Sequence, residues 1–360
     1  MKKILRILLI LLLIYAVWLG VGILSYKQHG STPLQDSLHE VQGVYHIHTT
    51  HSDGSKTPGE IAKIASSAGL KFIILTDHGN PNFESLAAEG WKEGVLVLAG
   101  SELSTSRGHL VALDFDTPDK SFAQNADSAA YQVNRLNGFS IIAHPYSKTL
   151  WTWGDSIYFS GIEIINADSM LKTKIWRWIP FTPSFFLKPE YFLLKILNVP
   201  GKNLIKWDSL NRNSQISGFY STDAHLLYKP LMSFLRLHLL LDKPLSAEFE
   251  AAKNQVFSAL RQGQFYSAID AAAQAEGFRF RAAEGENTTL HIQLPLSISK
   301  ETHLIFNGQS ILQSTDDTIE FRAEKPGVYR VEVYLKERSP LNKRIPWILS
   351  NPVYVKEKTQ

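Results

Sequence analysis

Hydrophobic and polar positions follow three successive patterns along the chain. Residues 7–24, ILLILLLIYAVWLGVGIL, form an uninterrupted apolar run. From Val44 to about Ala268, short apolar β-prone runs alternate with helical patterns, and after Glu286 the chain shows only short alternating strands. These patterns predict a membrane helix, a βα-repeating region with a mostly parallel sheet or barrel, and a small C-terminal β-sandwich.

We divide the chain where these patterns change. The predicted anchor covers 1–25, the tether 26–42, the βα barrel 43–268 with an insert at 171–207, and the β-sandwich 275–360. The clearest βα unit begins at Thr57-Pro58-Gly59-Glu60, a capping box with proline at the first helical position. Other strands are predicted at 72–78, 95–99, 109–115, 139–144 and 161–166, and helices near 122–136 and from Ala247 to Arg261.

The apolar run carries a topology signal at its N-terminal side. Lys2, Lys3 and Arg6 precede a run whose length matches the roughly 17 to 25 residues of a spanning helix. A cleaved signal peptide is the alternative, but the run exceeds a usual signal core and no A-x-A site follows it. We expect a single-pass anchor through residues 4–24, with everything after Ser25 on the extracytoplasmic (periplasmic or extracellular) side of the membrane.

Composition narrows the chemistry. The net charge of +3 over 360 residues gives no reason to expect a nucleic-acid partner. Cysteine is absent, which excludes thiolate metal ligands, cysteine nucleophiles and disulfides. Ser101 lacks a G-x-S-x-G elbow, so the sequence does not favour a serine hydrolase.

Histidine and acidic residues recur at or near the ends of successive predicted strands. In parallel βα folds, ligands bind at the carboxyl ends of strands, so we expect most of these side chains to meet at one rim. Imidazoles and carboxylates without thiolates suit divalent Zn, Mn or Fe, and nine such groups exceed the needs of one ion. The nine residues are His46, His48, Asp53, His78, Glu102, His109, His144, Asp223 and His225.

This ordered set, H-x-H-x4-D followed by H, E, H, H and D-x-H, resembles the PHP (polymerase and histidinol phosphatase) superfamily of metallohydrolases. The resemblance implies a distorted (β/α)7 barrel with three divalent ions, Mn, Zn or Fe. The segments GIEIINADS, WD at 207–208 and PWILSNPVYV further resemble membrane-anchored or secreted carbaryl-hydrolase-like members. By position, the first ion would have His46, His48, Glu102 and Asp223, the second Glu102, His109 and His144, and the third Asp53, His78 and His225.

Three residues near this set lie outside its pattern. Arg107 either clamps an anionic substrate, as a further catalytic residue beside His46, His48, Glu102 and Asp223, or faces solvent. Asp77 is interpreted as a supporting or structural group. His51 is either a proton donor at the rim or an ordinary loop histidine.

The predicted function is hydrolysis by a metal-activated water. The family resemblance favours phosphoesters, whereas the subgroup resemblance favours a carboxyl ester, carbamate or amide. A membrane-tethered module that only binds metal or ligand is a third hypothesis. The substrate would be a small-molecule or membrane-derived ester.

The insert at 171–207 holds seven basic residues, one acid and eight aromatics. It is interpreted either as a second membrane-facing element or as a lid packed on the barrel.

Overall fold

The computed structural model describes residues 1–30, 32, 37–147, 150–152, 158–172, 176, 178–283, 288–336 and 339–357. Parts of the predicted tether (31 and 33–36), the insert (173–175 and 177) and the C-terminal strand region (284–287, 337–338 and 358–360) lie outside these residues.

The N-terminal apolar run forms one long helix, α1 (Lys2–Ser25). It is long and apolar enough to cross a membrane, with a hydropathy of 2.9 and almost no burial, although a signal sequence has the same properties. Its C-terminal half contacts the insert. The Tyr15 hydroxyl donates a hydrogen bond of 2.8 Å to the Pro180 carbonyl, and the Trp18 ring lies 5.7 Å from that of Phe181.

A mixed sheet occupies the centre of the molecule. Its strands run in the order β10-β9-β1-β2-β4-β5-β6-β7-β8, with β3 paired to β4. The strands are β1 (His39–Ile47), β2 (Phe72–Leu75), β3 (Gly90–Lys92), β4 (Val95–Thr105), β5 (Gly108–Leu113), β6 (Phe139–Ile142), β7 (Gly161–Asn166), β8 (Ser217–Ser221), β9 (Arg236–Leu241) and β10 (Phe265–Ala268).

Strand direction corrects the expectation of a mostly parallel sheet. Strands β1, β2 and β4 are parallel, as are β6, β7 and β8, but β5 is antiparallel to both of its neighbours. Only Ser106 and Arg107 separate β4 from β5, and a two-residue connection allows an antiparallel hairpin but not a parallel crossover. The start of β5 therefore lies at the same rim as the end of β4, with His109 paired to Ser104.

Helices connect the strands and cover the sheet. The Thr57 capping box is confirmed, because the Thr57 side chain accepts from the Glu60 N–H and the Glu60 side chain accepts from the Thr57 N–H. The helices are α2 (Pro58–Ser67), α3 (Phe83–Leu86), α4 (Ala126–Arg135), α5 (Ala167–Lys172), α6 (Thr182–Leu187), α7 (Pro189–Ile196), α8 (Gly201–Asn211), α9 (Tyr228–Met232) and α10 (Phe249–Gln262).

The insert combines features of both interpretations. Helix α7 is largely buried, as a packed lid would be. Helix α6 beside it exposes Phe186 and Leu187, at 79% and 71% of their surface. Helix α7 thus packs against the body of the protein, while its neighbour α6 presents an apolar surface next to α1.

The C-terminal region departs from the predicted isolated sandwich. One set of strands forms a small sheet, β11-β12-β15, but β17 pairs with both β10 and β16, so the other set extends the central sheet. These strands are β11 (Arg279–Ala283), β12 (Thr288–Gln293), β13 (Lys300–Phe306), β14 (Gln309–Ser314), β15 (Thr318–Ala323), β16 (Gly327–Leu335), β17 (Ile348–Ser350) and β18 (Val353–Val355). His291 and His303 lie in β12 and β13.

Candidate metal centre

The nine predicted ligands come together at one rim of the central sheet. His46 lies in the last part of β1 and His48 directly follows that strand, Glu102 lies in the last part of β4, His109 opens the antiparallel β5, and His144 follows β6. Asp53 and His78 are brought in by the loops after β1 and β2, and Asp223 and His225 by the loop after β8. A bridge between Ile47 and Ala224 places the end of β8 beside β1.

A bulge in β1 directs its histidines toward this rim. The register between β1 and β2 shifts between Tyr45 and Ile47, and His46 has a φ of 66°. Side chains alternate between the two faces of a strand, and a bulge exchanges the faces for the residues that follow it. Because of this exchange, His46 and His48 both face the site. His144 and Asp223 also have positive φ, 26° and 50°. Such strained backbone persists only where the surrounding structure holds it, and it is concentrated at functional sites.

Four of the side chains form a buried cluster. Glu102 Oε2 lies 3.3 Å from His46 Nε2 and 3.1 Å from His48 Nε2. Asp223 Oδ1 lies 3.3 and 3.2 Å from the same two nitrogens. The ligand atoms of these four residues lie within 4.8 Å of one another, which is close enough for one metal ion to contact them all.

Glu102 connects this cluster to a second group of histidines. Its Oε1 atom lies 2.8 Å from His109 Nδ1 and 3.0 Å from His144 Nε2, while His78 Nδ1 is 3.4 Å from Oε2. His78, Glu102 and His109 form a compact set of possible ligands. A carboxylate in this position suits a bridge between two ions.

Asp53 lies close to three histidines of the site. Its Oδ2 lies 3.2 Å from His225 Nε2 and 3.8 Å from His78 Nε2, and its Oδ1 lies 3.3 Å from His48 Nδ1. The sets of possible ligands overlap the groups that the resemblance implies without matching all of them. His78 joins Glu102 and His109 where the resemblance places His144, and His48 joins Asp53, His78 and His225.

The buried charges shift one another's pKa values strongly. Burial alone would raise the pKa of Glu102, but His46, His109 and His144 lower it well below its usual range. Burial alone would lower the pKa of His46, yet the carboxylates of Asp223, Glu163 and Glu102 raise it well above its usual value. Fully buried carboxylates held ionised among imidazoles form the electrostatic environment that a cation occupies readily.

The donor set fits divalent metal ions. Among the described residues, His48 Nε2 is buried without a hydrogen-bond partner, although it points at two carboxylate oxygens. An orphaned buried nitrogen costs free energy unless another group satisfies it. Nitrogen and oxygen donors without sulfur suit Zn, Mn or Fe.

Residues beneath the cluster hold it in position. Glu163 of β7 lies with its Oε1 atom 2.6 Å from His46 Nδ1, and its Oε2 atom accepts from the His144 N–H and the Asn166 amide at 2.8 Å each. Asp77 accepts hydrogen bonds from the Thr49 N–H and hydroxyl. It therefore orders the loop after His48, which agrees with its predicted supporting role.

A pocket of about 230 Å³ opens over the cluster. Three residues of α5 line it, Asp168, Ser169 and Lys172, and the side chains of Asp168 and Lys172 form an ion pair. Burial and the charge of Asp223 raise the pKa of Asp168, although Lys172 and His225 act in the opposite direction. Asp168 also lies close enough to Asp223 and His225 to join a further set of possible ligands.

Two other predicted or considered residues lie elsewhere. The Arg107 guanidinium pairs with Asp127 at 2.6 Å and does not line the pocket. The cation that faces the pocket is Lys172 instead. His51 is likewise outside the pocket lining.

Sequence reasoning overlooked Glu163, Asp168 and Lys172. Glu163 did leave a signal, since it is a lone charge inside the apolar strand GIEIIN, and a buried charge normally has a partner. Lys172 left none, because its position over the pocket depends on how α5 packs.

Comparison with known proteins identifies the family. The PHP domain family matches residues 45–232, which is more than half of the chain, and this protein belongs to that family. Together with the His/Asp/Glu cluster, this makes the chain a metal-dependent hydrolase.

Individual relatives are more distant. An uncharacterized protein of Methanocaldococcus jannaschii is 29% identical over 140 residues. The match covers 34% of this chain and 80% of the chain of that protein. A two-domain protein from Bacteroides vulgatus, containing a predicted PHP-like metal-dependent phosphoesterase, is 14% identical with a TM-score of 0.47, over 91% of this chain and 100% of that one. An amidohydrolase from Chromobacterium violaceum is 16% identical with a TM-score of 0.33, over 51% and 87%.

Proposed function

We propose that this protein is a metal-dependent phosphoesterase. The observation that carries the proposal is the position of Lys172, which lines the same pocket as the His/Asp/Glu cluster. Metal ions and a lysine on one small pocket suit an ester with a negatively charged, oxygen-rich centre. A neutral carboxyl ester or carbamate gives the lysine no charge to neutralise.

The nine residues would hold three ions, of Mn, Zn or Fe, in the (β/α)7 barrel of the carbaryl-hydrolase-like PHP proteins. Metal ions bound in such a site lower the pKa of a coordinated water toward neutrality and neutralise charge that develops on the substrate.

The protein's own residues would orient the reaction. Lys172 binds a phosphate oxygen at the mouth of the pocket, and its ion pair with Asp168 fixes the ammonium group there. Glu163 holds the His46 ring in one orientation from below. The ester thus lies between a positively charged mouth and the rigid base of the site.

The N-terminal helix would anchor the enzyme in a membrane through residues 4–24. The basic residues Lys2, Lys3 and Arg6 support a cytoplasmic N-terminus, with the catalytic region then on the extracytoplasmic side. Alkaline extraction of membranes and mass analysis of the mature N-terminus test this. The chain should stay with the membrane and keep its first 25 residues, and a mature chain that begins after α1 would overturn the anchor.

The chemistry is tested by assaying the full chain in detergent, loaded separately with Mn, Zn and Fe. The substrates are chromogenic phosphomonoesters, phosphodiesters and carboxyl esters, with His46→Ala and Asp223→Ala as metal-site variants. We expect metal-dependent phosphoester turnover that both variants abolish. Turnover of carboxyl esters alone would replace the proposal with the ester or carbamate hydrolase, and no metal-dependent turnover would favour the binding module.

A further inference from the structure

A second cavity of about 360 Å³ adjoins the metal pocket, and we name it the leaving-group groove. The two cavities share His144, Ser147 and Ser169, so a molecule bound at the metal centre can extend directly into the groove. Its remaining walls are Tyr146, Leu150, Ile164, Asn166, Met170, Asn198, Val199, Pro200, Lys202 and Asn203.

The groove offers a ligand mainly apolar surface. Asn203 uses its amide to donate to the carbonyls of Glu163 and Ile164, at 3.1 and 2.9 Å, and the amide of Asn166 donates to Glu163. These amides are therefore engaged by the protein itself. Leu150 and Val199 remain exposed in the groove, at 63% and 39% of their surface, which is surface that an apolar ligand would cover.

The insert connects the groove to the helix proposed to cross the membrane. The chain leaves the pocket through α5 and reaches α1 at Pro180 and Phe181. It then passes through α6 and α7, where Tyr191 contacts Tyr26 just after α1 (ring centroids 6.0 Å apart), and returns to the groove at Val199. The same insert thus forms one wall of the groove and contacts α1.

From these observations we infer that the substrate is an amphiphilic phosphate monoester, whose alkyl chain lies in the leaving-group groove. This inference rests on the proposed phosphoesterase function and names its substrate class. The phosphate group occupies the metal pocket beside Lys172, and one groove accommodates one organic substituent. In the reaction, water adds to phosphorus, the P–O bond to the alcohol breaks, and inorganic phosphate and the long-chain alcohol are released.

The test compares ethyl, butyl and octyl phosphate as substrates of the full chain in detergent, each below its own micelle concentration, with released inorganic phosphate as the readout. Leu150→Asp and Val199→Asp place a charge in the groove at exposed positions that tolerate it without loss of folding. The matched control is Ile311→Asp on β14, an apolar residue of similar exposure, at 42%, that does not line the groove.

We expect kcat/KM to rise by about twofold for each added methylene that the groove half-covers, and so by more than about tenfold from ethyl to octyl phosphate. Both groove variants should lower the octyl-to-ethyl ratio of kcat/KM severalfold, and the control should keep that ratio. Equal kcat/KM for ethyl and octyl phosphate, or an undiminished rise in both groove variants, would overturn the inference alone. Absence of metal-dependent phosphate release from every ester would overturn the proposed function itself.

Discussion

Replacing Glu163 by glutamine should weaken metal binding without touching a predicted metal ligand. Both carboxylate oxygens of Glu163 accept hydrogen bonds, Oε1 from His46 Nδ1 and Oε2 from the His144 N–H and the Asn166 amide. A glutamine has one oxygen and one NH2 group. In either orientation of the amide, its NH2 group faces another hydrogen-bond donor. Either the His46 ring or the loop at His144 therefore loses a hydrogen bond.

The expected size follows from the geometry. The contact to His46 is 2.6 Å long and both side chains are fully buried, so it is a charge-assisted hydrogen bond in a low-dielectric setting. Losing such a bond costs about 1.5–3 kcal/mol. Since about 1.4 kcal/mol is a factor of ten, metal affinity should fall by about ten- to a hundredfold.

Competition with a chelator of known affinity measures this change directly for Mn or Zn. Glu320→Gln is the matched control, because Glu320 lies on β15 in the C-terminal sheet and is 68% exposed. Hydrolysis at saturating metal should recover much of its rate in Glu163→Gln. An affinity equal to that of the control would show that Glu163 does not orient the site, and the reasoning about His46 would fail.

Three further predictions test other parts of the structure. Lys172→Met should lower kcat/KM for a phosphate ester by about tenfold or more, and Arg107→Met by less than about threefold, because Arg107 pairs with Asp127; steady-state kinetics compare them. Burial alone lowers the pKa of His238, but Asp270 and Glu40 raise it to about 9. The raised pKa stabilises the fold fully below pH 6.5, and about 3 kcal/mol is lost as the pH rises to 9; in urea unfolding, the loss of stability over this pH range should be smaller in His238→Gln than in the wild type by about this amount. Asp77→Ala should lower the free energy of unfolding by about 2–4 kcal/mol, because the Thr49 N–H and hydroxyl lose their acceptor; thermal unfolding measures this, and an unchanged midpoint would contradict it.

The meeting of most of the nine residues at one rim could be expected from the sequence, whereas the position of His109, which opens β5, depends on the antiparallel direction of that strand. Strand ends in a βα fold share an edge, and the histidines and acids stand at those ends. The side-chain direction of His46 could not be expected in this way. It depends on a bulge at which His46 adopts a positive φ, and neither feature has a signature in the letters around it.

Contacts between segments that are distant in the sequence could not be predicted either. The sequence indicates strands in the C-terminal region, but their alternation does not specify a partner strand, so the pairing of β17 with β10 could not be predicted. Lys172 and Arg107 illustrate the same limit at the site. Both are basic residues near predicted ligands, and only the packing of α5 and of the β4–β5 hairpin decides which one faces the pocket.

The central claim is that the buried cluster holds metal ions. Elemental analysis of the purified full chain tests it most directly, after loading with Mn, Zn or Fe and exhaustive dialysis, beside Asp223→Ala and the control Glu320→Gln. The account predicts more than one ion per chain in the wild type and the control, with a clear loss in Asp223→Ala. A wild-type chain that retains no ion, or an Asp223→Ala chain that retains as many as the wild type, would contradict it.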